Sequence, residues 1–387
     1  MNEVSLEVEA VTPIFIAGAD QRNIENEGLR APSLKGLMRW WFRAIMGGVL
    51  FSSGSLDINE IKREEEKIWG STNTQSNVLI KVSTIDTRIE NLQIRGYRGL
   101  AYLSYGVSGR RYMKGKFKVN IYFKPTLHEE DKKKVIATLW MLLNLGNVGS
   151  RNRKGFGSLR VTNDTKIYNI SFKNPSDVNE LIKYLKLNIE ECLNIFGWDG
   201  SKILSKTLPS FAIIAPNFWK MKLLDDIYPS DIDAINSIGE KIRQYREDRN
   251  NPNARHTRTI KGKLISYWVT RDYDAIKSIY TQSAPSTPQG SIFGLPHQFQ
   301  FQSIDKKAVV RGLKHHRRAS PLYIKIYKLD DNKFVIGLQL FKSVLLPEDK
   351  LLISDLRNPN VKAEVNLPSC SYLEYFLDKL SGRWITL

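Results

Sequence analysis

The stretch from Gly146 to Arg160, GNVGSRNRKGFGSLR, constrains the fold of this chain more than any other segment. It places four glycines, three arginines and one lysine between a segment of helical periodicity and a short segment of strand periodicity. Glycine permits positive φ angles and close backbone approach, and the cations between the glycines can contact phosphates. The run predicts a tight helix-to-strand turn that binds RNA, although a purely structural turn is the alternative. Its predicted RNA-binding residues are Gly149, Arg151, Arg153, Lys154, Gly155 and Gly157.

The charge of the chain favours a polyanionic partner. Lysine and arginine number 58 against 40 aspartates and glutamates, which gives a formal net charge of +18. A membrane surface would also attract this charge, but the sequence lacks an apolar run of about 18 residues and a signal segment at Met1. We therefore expect a soluble, cytoplasmic protein that binds nucleic acid and no membrane.

The two cysteines argue against a metal centre. Cys192 and Cys370 lie far apart and form no CxxC pair, so neither a disulfide framework nor a cysteine zinc site is expected. The glycine-rich run contains no GxxxxGK[ST] motif, and its GxG lacks the third glycine of a dinucleotide fingerprint. The sequence therefore predicts no metal and no cofactor.

Periodicity in the first half predicts the element order β-α-β-β-α-β, which is the ferredoxin-like arrangement. The first helix is expected to start at Ser33 as the N-cap and to stop at Gly47-Gly48, and a surface helix should cover residues 59–69. The remaining predicted elements are strands near 4–10, 78–82, 119–123 and 159–162 and a helix over 129–145.

The pattern of apolar and polar residues is less regular in the second half of the sequence. With 387 residues and 42% hydrophobic content, the chain is long enough for two domains, predicted at 1–200 and 201–387. The fold class is α+β, with two ferredoxin-like domains in tandem that carry insertions. Later elements are predicted as a helix over 176–196, a strand at 208–216, a helix over 230–245, a hairpin of 323–327 with 334–340, and a helix over 370–380.

Three further segments combine cations with few or no acids. The range 91–118 has seven lysines or arginines interleaved with tyrosines, a mixture that suits unpaired bases and phosphates, although a solvated hairpin is the alternative. The range 249–263 is predicted to be a basic loop that either binds a nucleic-acid strand or has no role. The range 306–318 is predicted to contact nucleic acid, with a plain charged turn as the alternative. The predicted RNA contacts here are Arg110, Arg111, Lys114, Arg258, Arg317 and Arg318.

The first helix carries Lys35, Arg39 and Arg43 at intervals of four, which places them on one helical face. Aligned cations repel one another unless an anion or a partner carboxylate lies opposite them. These three residues are therefore predicted to contact the RNA backbone beside the glycine-rich loop. In the adjoining Trp40-Trp41-Phe42 cluster, Trp41 is expected to pack inward and Trp40 to lie nearer the surface.

These residues together resemble the RAMP superfamily of CRISPR proteins. The resemblance is carried by a strand that ends at Thr12-Pro13, by Gly18, by LRAPSLKGLMRWWFRAI from Leu29 to Ile45, and by the glycine-rich loop. The segments RWWFRA (39–44), IFGLP (292–296) and RRASPL (317–322) resemble the first subunit of the type III-B (Cmr) effector complexes.

The resemblance implies a non-catalytic RNA-binding subunit of a CRISPR ribonucleoprotein. Its partners would be guide RNA, target RNA and other Cmr-type effector subunits, and it would lie near the 3′ side of the guide and aid capture of target RNA in antiviral defence.

A metal-independent endoribonuclease is the alternative function, because relatives that process guide RNA use a histidine. None of the five histidines lies in the glycine-rich loop or on the first helix. A protein scaffold without RNA is a third possibility. We therefore expect no catalytic residue.

Overall fold

A computed structural model describes residues 1–16, 28–51, 56–199, 207–248, 255–260, 263–281, 283–301 and 304–387. The first half contains β1 (Glu3–Ala10), α1 (Ala31–Leu50), α2 (Ile58–Trp69), β2 (Val78–Asn91), α3 (Arg98–Leu103), β3 (Arg111–Phe123), α4 (Glu129–Leu145) and β4 (Leu159–Val161). A small hairpin of β5 (Thr165–Ile167) and β6 (Ile170–Phe172) and the helix α5 (Val178–Ile195) follow.

The second half begins with β7 (Trp219–Tyr228) and α6 (Asp231–Arg246). It continues with β8 (Arg255–Ile260), β9 (Lys263–Trp268), α7 (Tyr273–Lys277), β10 (His297–Phe301) and β11 (Lys306–Gly312). The last elements are β12 (Leu322–Lys328), β13 (Phe334–Phe341), β14 (Lys350–Asp355), β15 (Lys362–Asn366), α8 (Ser371–Asp378) and β16 (Gly382–Ile385).

Two four-stranded sheets have the ferredoxin-like strand order, which confirms the predicted α+β fold class. The first sheet has the order β2-β3-β1-β4, and the second has the order β12-β13-β7-β16. In both, the first strand pairs antiparallel with the third and the fourth. Alternation makes β1 amphipathic: Val4, Leu6 and Val8 are buried while the residues between them are exposed.

The described chain forms two compact units, each assembled from separate stretches. Unit 1 comprises Met1–Ile238, Tyr323–Ser343 and Ser381–Leu387, and unit 2 comprises Gly239–Leu322 and Val344–Leu380. Unit 1 holds the first sheet and nearly all of the second, whose side chains share one hydrophobic core with α1, α4 and α5. Unit 2 holds a further sheet of order β10-β11-β14-β15. These limits differ from the predicted boundary at residue 200, and the division into 1–200 and 201–387 stays a prediction.

Helix α1 differs from its predicted ends for steric reasons. It starts at Ala31, with Arg30 rather than Ser33 at the N-cap, and it runs through Gly47 and Gly48 to Leu50. A Cβ on Gly48 would lie 1.9 Å from the carbonyl oxygen of Ile214, so this glycine permits close packing instead of ending the helix.

Two other sequence expectations are wrong. Residues 208–216 form no strand; they pack as irregular chain against α1, where the Ile214 amide donates to the Ala44 carbonyl at 2.9 Å. Part of the basic stretch 249–263 is not an irregular loop, because β8 and β9 pair as an antiparallel hairpin. Residues 249–254, 261 and 262 of that stretch, and Gly18, lie outside the described residues. Within the described ranges, every helix is too short or too polar to cross a bilayer.

Candidate nucleic-acid interface

The glycine-rich loop after α4 is a tight turn that depends on its glycines. Gly149, Gly155 and Gly157 all have positive φ angles, of 79°, 86° and 75°. A Cβ on Gly157 would lie 1.8 Å from the carbonyl oxygen of Val148, so no other residue fits there without moving the backbone. The Val148 amide donates to the Gly157 carbonyl at 2.8 Å, which closes the turn.

A buried polar cluster fixes the base of this loop. The hydroxyl of Ser158 donates to Oδ1 of Asn147 at 2.7 Å, and the amide of Ser158 donates to the hydroxyl oxygen of Thr12 at 2.8 Å. The side-chain amide of Asn147 donates to the backbone carbonyls of Asn152 and, at 2.8 Å, of Ile324. Because buried polar groups are costly when unpaired, this network holds the loop in one conformation.

Side chains from β12 and β13 donate hydrogen bonds to the carbonyl groups at the end of α4, where the glycine-rich loop begins. Lys325 Nζ donates to the carbonyl oxygens of Leu143 and Gly146, each at 2.7 Å. The Tyr327 hydroxyl reaches the carbonyl of Asn144 at 2.7 Å, and the Gln339 amide reaches that of Leu145 at 2.7 Å. These bonds replace the partners that a helix C-terminus lacks. Burial holds the pKa of the Lys325 ammonium group well below its usual range.

Two of the predicted loop cations are held by neighbours in unit 1. Arg151 has a φ of 60° and donates from Nη2 to the carbonyl oxygen of Tyr105. Burial lowers the pKa of its guanidinium. Arg153 lies 5.4 Å from the ring centre of Trp40 and 5.7 Å from that of Tyr323, within cation–π range. Lys154 forms a parallel bridge with Ile324 through its backbone.

Unit 1 contains a cleft of about 420 Å³ that is lined by acidic and basic side chains, including Glu9, Arg88, Lys116 and Asp231. A different cleft, of about 280 Å³, separates the glycine-rich loop from the start of α1. Gly149 and Ser150 line one side of this second cleft, and Arg30 and Ser33 line the other. The first turn of α1 contains no acid, and its N-cap residue makes no side-chain capping bond among the described residues. The amide groups and positive dipole end of a helix attract anions. We call this second cavity the loop cleft.

Arg39 and Arg43 of α1 face a buried carboxylate, a contact that was not predicted from the sequence. Glu65 of α2 was expected on a solvated face, but only 4% of it is exposed. Its Oε1 lies 2.5 Å from Nε of Arg39, and its Oε2 lies 3.9 Å from Nε of Arg43. Lys35 forms no ion pair in the described part of the chain, and burial, followed by the charge of Arg39, lowers its pKa.

The remaining predicted contacts are dispersed. Lys114 forms an ion pair with Asp231 at 2.7 Å, and both side chains are largely buried, so this lysine has a structural partner. Arg110 precedes β3 and Arg111 opens it. Arg258 lies in β8, and its side chain is outside the described atoms.

In unit 2, Arg317 is exposed, whereas Arg318 is half-buried and its pKa is lowered by burial.

Histidines and clustered carboxylates are the groups that would be needed to cleave RNA. Across the described ranges, no group of three or more histidine, cysteine, aspartate or glutamate side chains is arranged to hold a metal ion. His128 is the N-cap of α4, and the glycine-rich loop begins after the other end of that helix. With 17 residues in α4, the two sites are about 24 Å apart. The other four histidines belong to unit 2.

Comparisons with known proteins agree with the ferredoxin-like sheets. A family model described as the RAMP superfamily matches residues 7–160. The chain is 33% identical over 186 residues to the CRISPR system Cmr subunit Cmr1-2 of Pyrococcus furiosus, covering 42% of this chain and 96% of that protein. It is 24% identical over 359 residues to Cmr1-1 of the same organism, covering 88% of each chain.

Two solved structures share the fold. The apo crystal structure of Cmr1 from Pyrococcus furiosus superposes with a TM-score of 0.61 at 20% identity, covering 99% of this chain and 98% of that one. A chain in the cryo-EM structure of a type III-B Cmr-beta complex bound to cognate target RNA gives a TM-score of 0.53 at 19% identity, covering 90% of this chain and 97% of that one.

Proposed function

Since the chain belongs to the RAMP superfamily and, within it, to the Cmr1 subunits of CRISPR systems, we propose that it is a non-catalytic RNA-binding subunit of a type III-B ribonucleoprotein. In this role it contacts guide RNA, target RNA or both, near the 3′ side of the guide, and aids capture of target RNA in antiviral defence. Its other partners are the remaining Cmr-type effector subunits. One fold relative is a chain of a Cmr-beta complex bound to target RNA, which supports this assignment.

The loop cleft is the observation that carries the proposal. It brings Gly149 and Ser150 next to Arg30 and the uncapped start of α1. Backbone amides at a helix start and a glycine-rich turn are the groups that bind phosphate oxygens without regard to base sequence. The net charge of +18 adds a long-range attraction for a polyanion.

Lys35 and the loop cations extend this surface. Lys35 lies in α1 close to the residues that line the loop cleft, and its ammonium group makes no ion pair with the described residues. Arg151 and Arg153 are held by Tyr105 and Trp40, so their positions are fixed before a ligand arrives. Preorganised guanidinium groups lose less conformational entropy when they bind phosphates.

Binding measurements on the purified chain test the proposal. We expect it to retain single-stranded RNA near physiological salt, with an affinity that falls steeply as salt rises. Lys35→Ala should weaken binding, whereas Lys62→Ala, which removes an exposed cation from α2, should change affinity less. A chain that retains no RNA, or one whose affinity is insensitive to salt, would contradict the proposal.

The alternative function, metal-independent endoribonuclease, has a direct test. The only histidine of unit 1 lies about 24 Å from the glycine-rich loop, which is too far for proton transfer there. We expect labelled repeat RNA to stay intact when it is incubated with the purified chain in EDTA. Cleavage that a single histidine substitution abolishes would establish the nuclease instead.

A further inference from the structure

A third cleft lies wholly within unit 2, on the sheet of order β10-β11-β14-β15. In β11, Ala308 and Val310 are fully buried on one face of this sheet. Val309 and Arg311 point to the opposite face, and Val309 pairs with Ser354 of β14. The cleft opens on that face and has a volume of about 340 Å³. We call it the β11 cleft; its lining residues are Pro296, Val309, Arg311, His316, Arg317, Ser354, Asp355, Leu356 and Pro359.

Two guanidinium groups of the β11 cleft have donors to spare. Nη1 of Arg311 lies 3.2 Å from Nε2 of His316 and its Nε is buried, whereas its Nη2 has no partner among the described residues. Arg317 is exposed and makes no ion pair in the described part of unit 2. Paired guanidinium groups in a recess are suited to a phosphate, whose oxygens accept two parallel hydrogen bonds.

Asp355 is the one carboxylate among the lining residues of the β11 cleft, and it already accepts hydrogen bonds from other residues. Asp355 accepts hydrogen bonds from the Tyr280 hydroxyl at 2.6 Å and from the backbone amides of Arg357 and Asn358 at 2.7 and 2.6 Å. These three donors satisfy much of its acceptor capacity, and none of them belongs to Arg311 or Arg317. Asp355 therefore shapes the wall of the cleft and leaves both guanidinium groups available.

Besides His316 and Ser354, the remaining lining residues of the β11 cleft are apolar, and two of them are prolines. Pro296, Leu356 and Pro359 supply flat or branched apolar surface beside the arginines. Arg318 places Pro296 there, because the amides of Leu295 and Arg318 donate to each other's carbonyls at 2.8 and 3.2 Å. Its role is thus structural, whereas Arg317 next to it faces the cleft.

We propose that the β11 cleft binds one unpaired nucleotide of an RNA chain, with its phosphate on Arg311 and Arg317 and its base against the proline and leucine walls. The volume is within the range of small-ligand sites. A base in a duplex is stacked and paired and cannot enter such a recess, so the ligand is single-stranded. This inference rests on the proposed function and adds a second RNA contact, in unit 2, to the loop cleft of unit 1.

The test uses the full chain and a short fluorescein-labelled oligouridylate, with binding followed by fluorescence anisotropy at several salt concentrations. Arg317→Gln should lower affinity by about tenfold, and the slope of log affinity against log salt should fall by about one. Arg311→Gln should act in the same direction. Lys350→Gln is the matched control, because it removes an exposed cation of β14 that is paired with Glu364 at 3.6 Å.

A second probe distinguishes the contact to the base from the contact to the phosphate. Leu356→Ala should weaken binding of the oligouridylate and leave binding of an abasic oligonucleotide of equal length unchanged. Equal losses for both probes would overturn the base contact.

The possible failures are distinguishable. If the unaltered chain binds no RNA, the proposed function fails. If Lys35→Ala weakens binding while Arg317→Gln matches Lys350→Gln, only the β11 cleft is rejected. Arg317 makes no side-chain hydrogen bond or ion pair with the described residues, so its variant decides the matter even if Arg311→Gln unfolds. Thermal unfolding of each variant checks that it folds.

Discussion

Lys325 Nζ lies 2.7 Å from the carbonyl oxygen of Gly146, so a strand of the second sheet holds the first residue of the glycine-rich loop. The same ammonium group contacts Leu143 of α4 and, at 3.2 Å, the carbonyl oxygen of Leu159 in β4. One side chain thereby joins the helix before the loop to the strand after it. The conformation of the loop depends on β12 as much as on its own glycines.

Replacing Lys325 by methionine should destabilise the protein. The carbonyl groups of Leu143, Gly146 and Leu159 would lose a donor inside the core, which should cost about 2 to 4 kcal/mol of unfolding free energy. Chemical denaturation measures the difference. An equally stable Lys325→Met variant would show that the buried ammonium contributes no net stabilisation.

The titration of Lys325 should also give stability a specific pH dependence. Its pKa is lowered in the folded chain, so between that value and the ordinary lysine pKa the unfolded state binds more protons than the folded state. Stability from this group therefore rises with pH in that window. The difference in unfolding free energy between the native chain and Lys325→Met should grow as the pH rises toward the ordinary lysine pKa of about 10.4. A constant difference would contradict the shift.

Gly157→Ala should disrupt the glycine-rich loop. Its Cβ would lie 1.8 Å from the Val148 carbonyl oxygen at a residue with a φ of 75°, so the backbone must move. We expect a loss of more than about 2 kcal/mol in unfolding free energy, together with weaker RNA binding. Gly36→Ala is the control: it lies in α1 with nothing within 4 Å of the new Cβ, and it should stabilise the chain by about 1 kcal/mol.

Substitutions of Arg39 and Lys35 should have different effects, the first on stability and the second on RNA binding. Among the described residues, Arg39→Ala leaves the buried Glu65 carboxylate with the distant Arg43 as its ion-pair partner, which should cost about 2 kcal/mol in unfolding free energy. Lys35→Ala should leave stability within about 0.5 kcal/mol of the native value while weakening RNA binding. Thermal unfolding and anisotropy measure the two effects. An Arg39→Ala variant of native stability would show that its pairing with Glu65 is weak.

Tyr105 should provide a stacking surface for an unpaired base. It is 72% exposed, and its carbonyl oxygen accepts a hydrogen bond from Arg151, which fixes the backbone that carries the ring. Tyr105→Ala should weaken binding of single-stranded RNA by about 1 kcal/mol and leave duplex binding unchanged. Tyr105→Phe should retain affinity because it keeps the ring. Tyr375, which is 54% exposed in unit 2, offers an alanine control.

The periodicity of apolar residues in the sequence was sufficient to predict much of the fold. The predicted limits of α4 match the structure, and the β-α-β-β-α-β order of the first half is confirmed by a sheet of order β2-β3-β1-β4. Trp41 is fully buried and Trp40 lies nearer the surface, as the helical phase indicated. Such local signals are strong because one face of each element must be apolar.

The partners of the charged groups were not predictable in the same way. Nothing local in Leu322–Lys328 marks Lys325, because its contacts are to residues more than 160 positions earlier. Glu65 did carry a signal: it shares a helical face with Ile61 and Ile68, which are buried. Because Glu65 lies in a run of three glutamates at 64–66, the whole run was assigned to the solvent-exposed face of the helix. The predicted RNA-binding residues as a set remain predictions.

The caps on α4 have a consequence for biosynthesis. Lys325 and Gln339 leave the ribosome long after Gly146 to Gly157, so the nascent chain carries an unsupported loop until the second sheet is complete. A fragment that ends before β12 retains every glycine and arginine of that loop but lacks the donors that fix it. Truncation would therefore yield a chain with the right motif and without the shape that the motif needs.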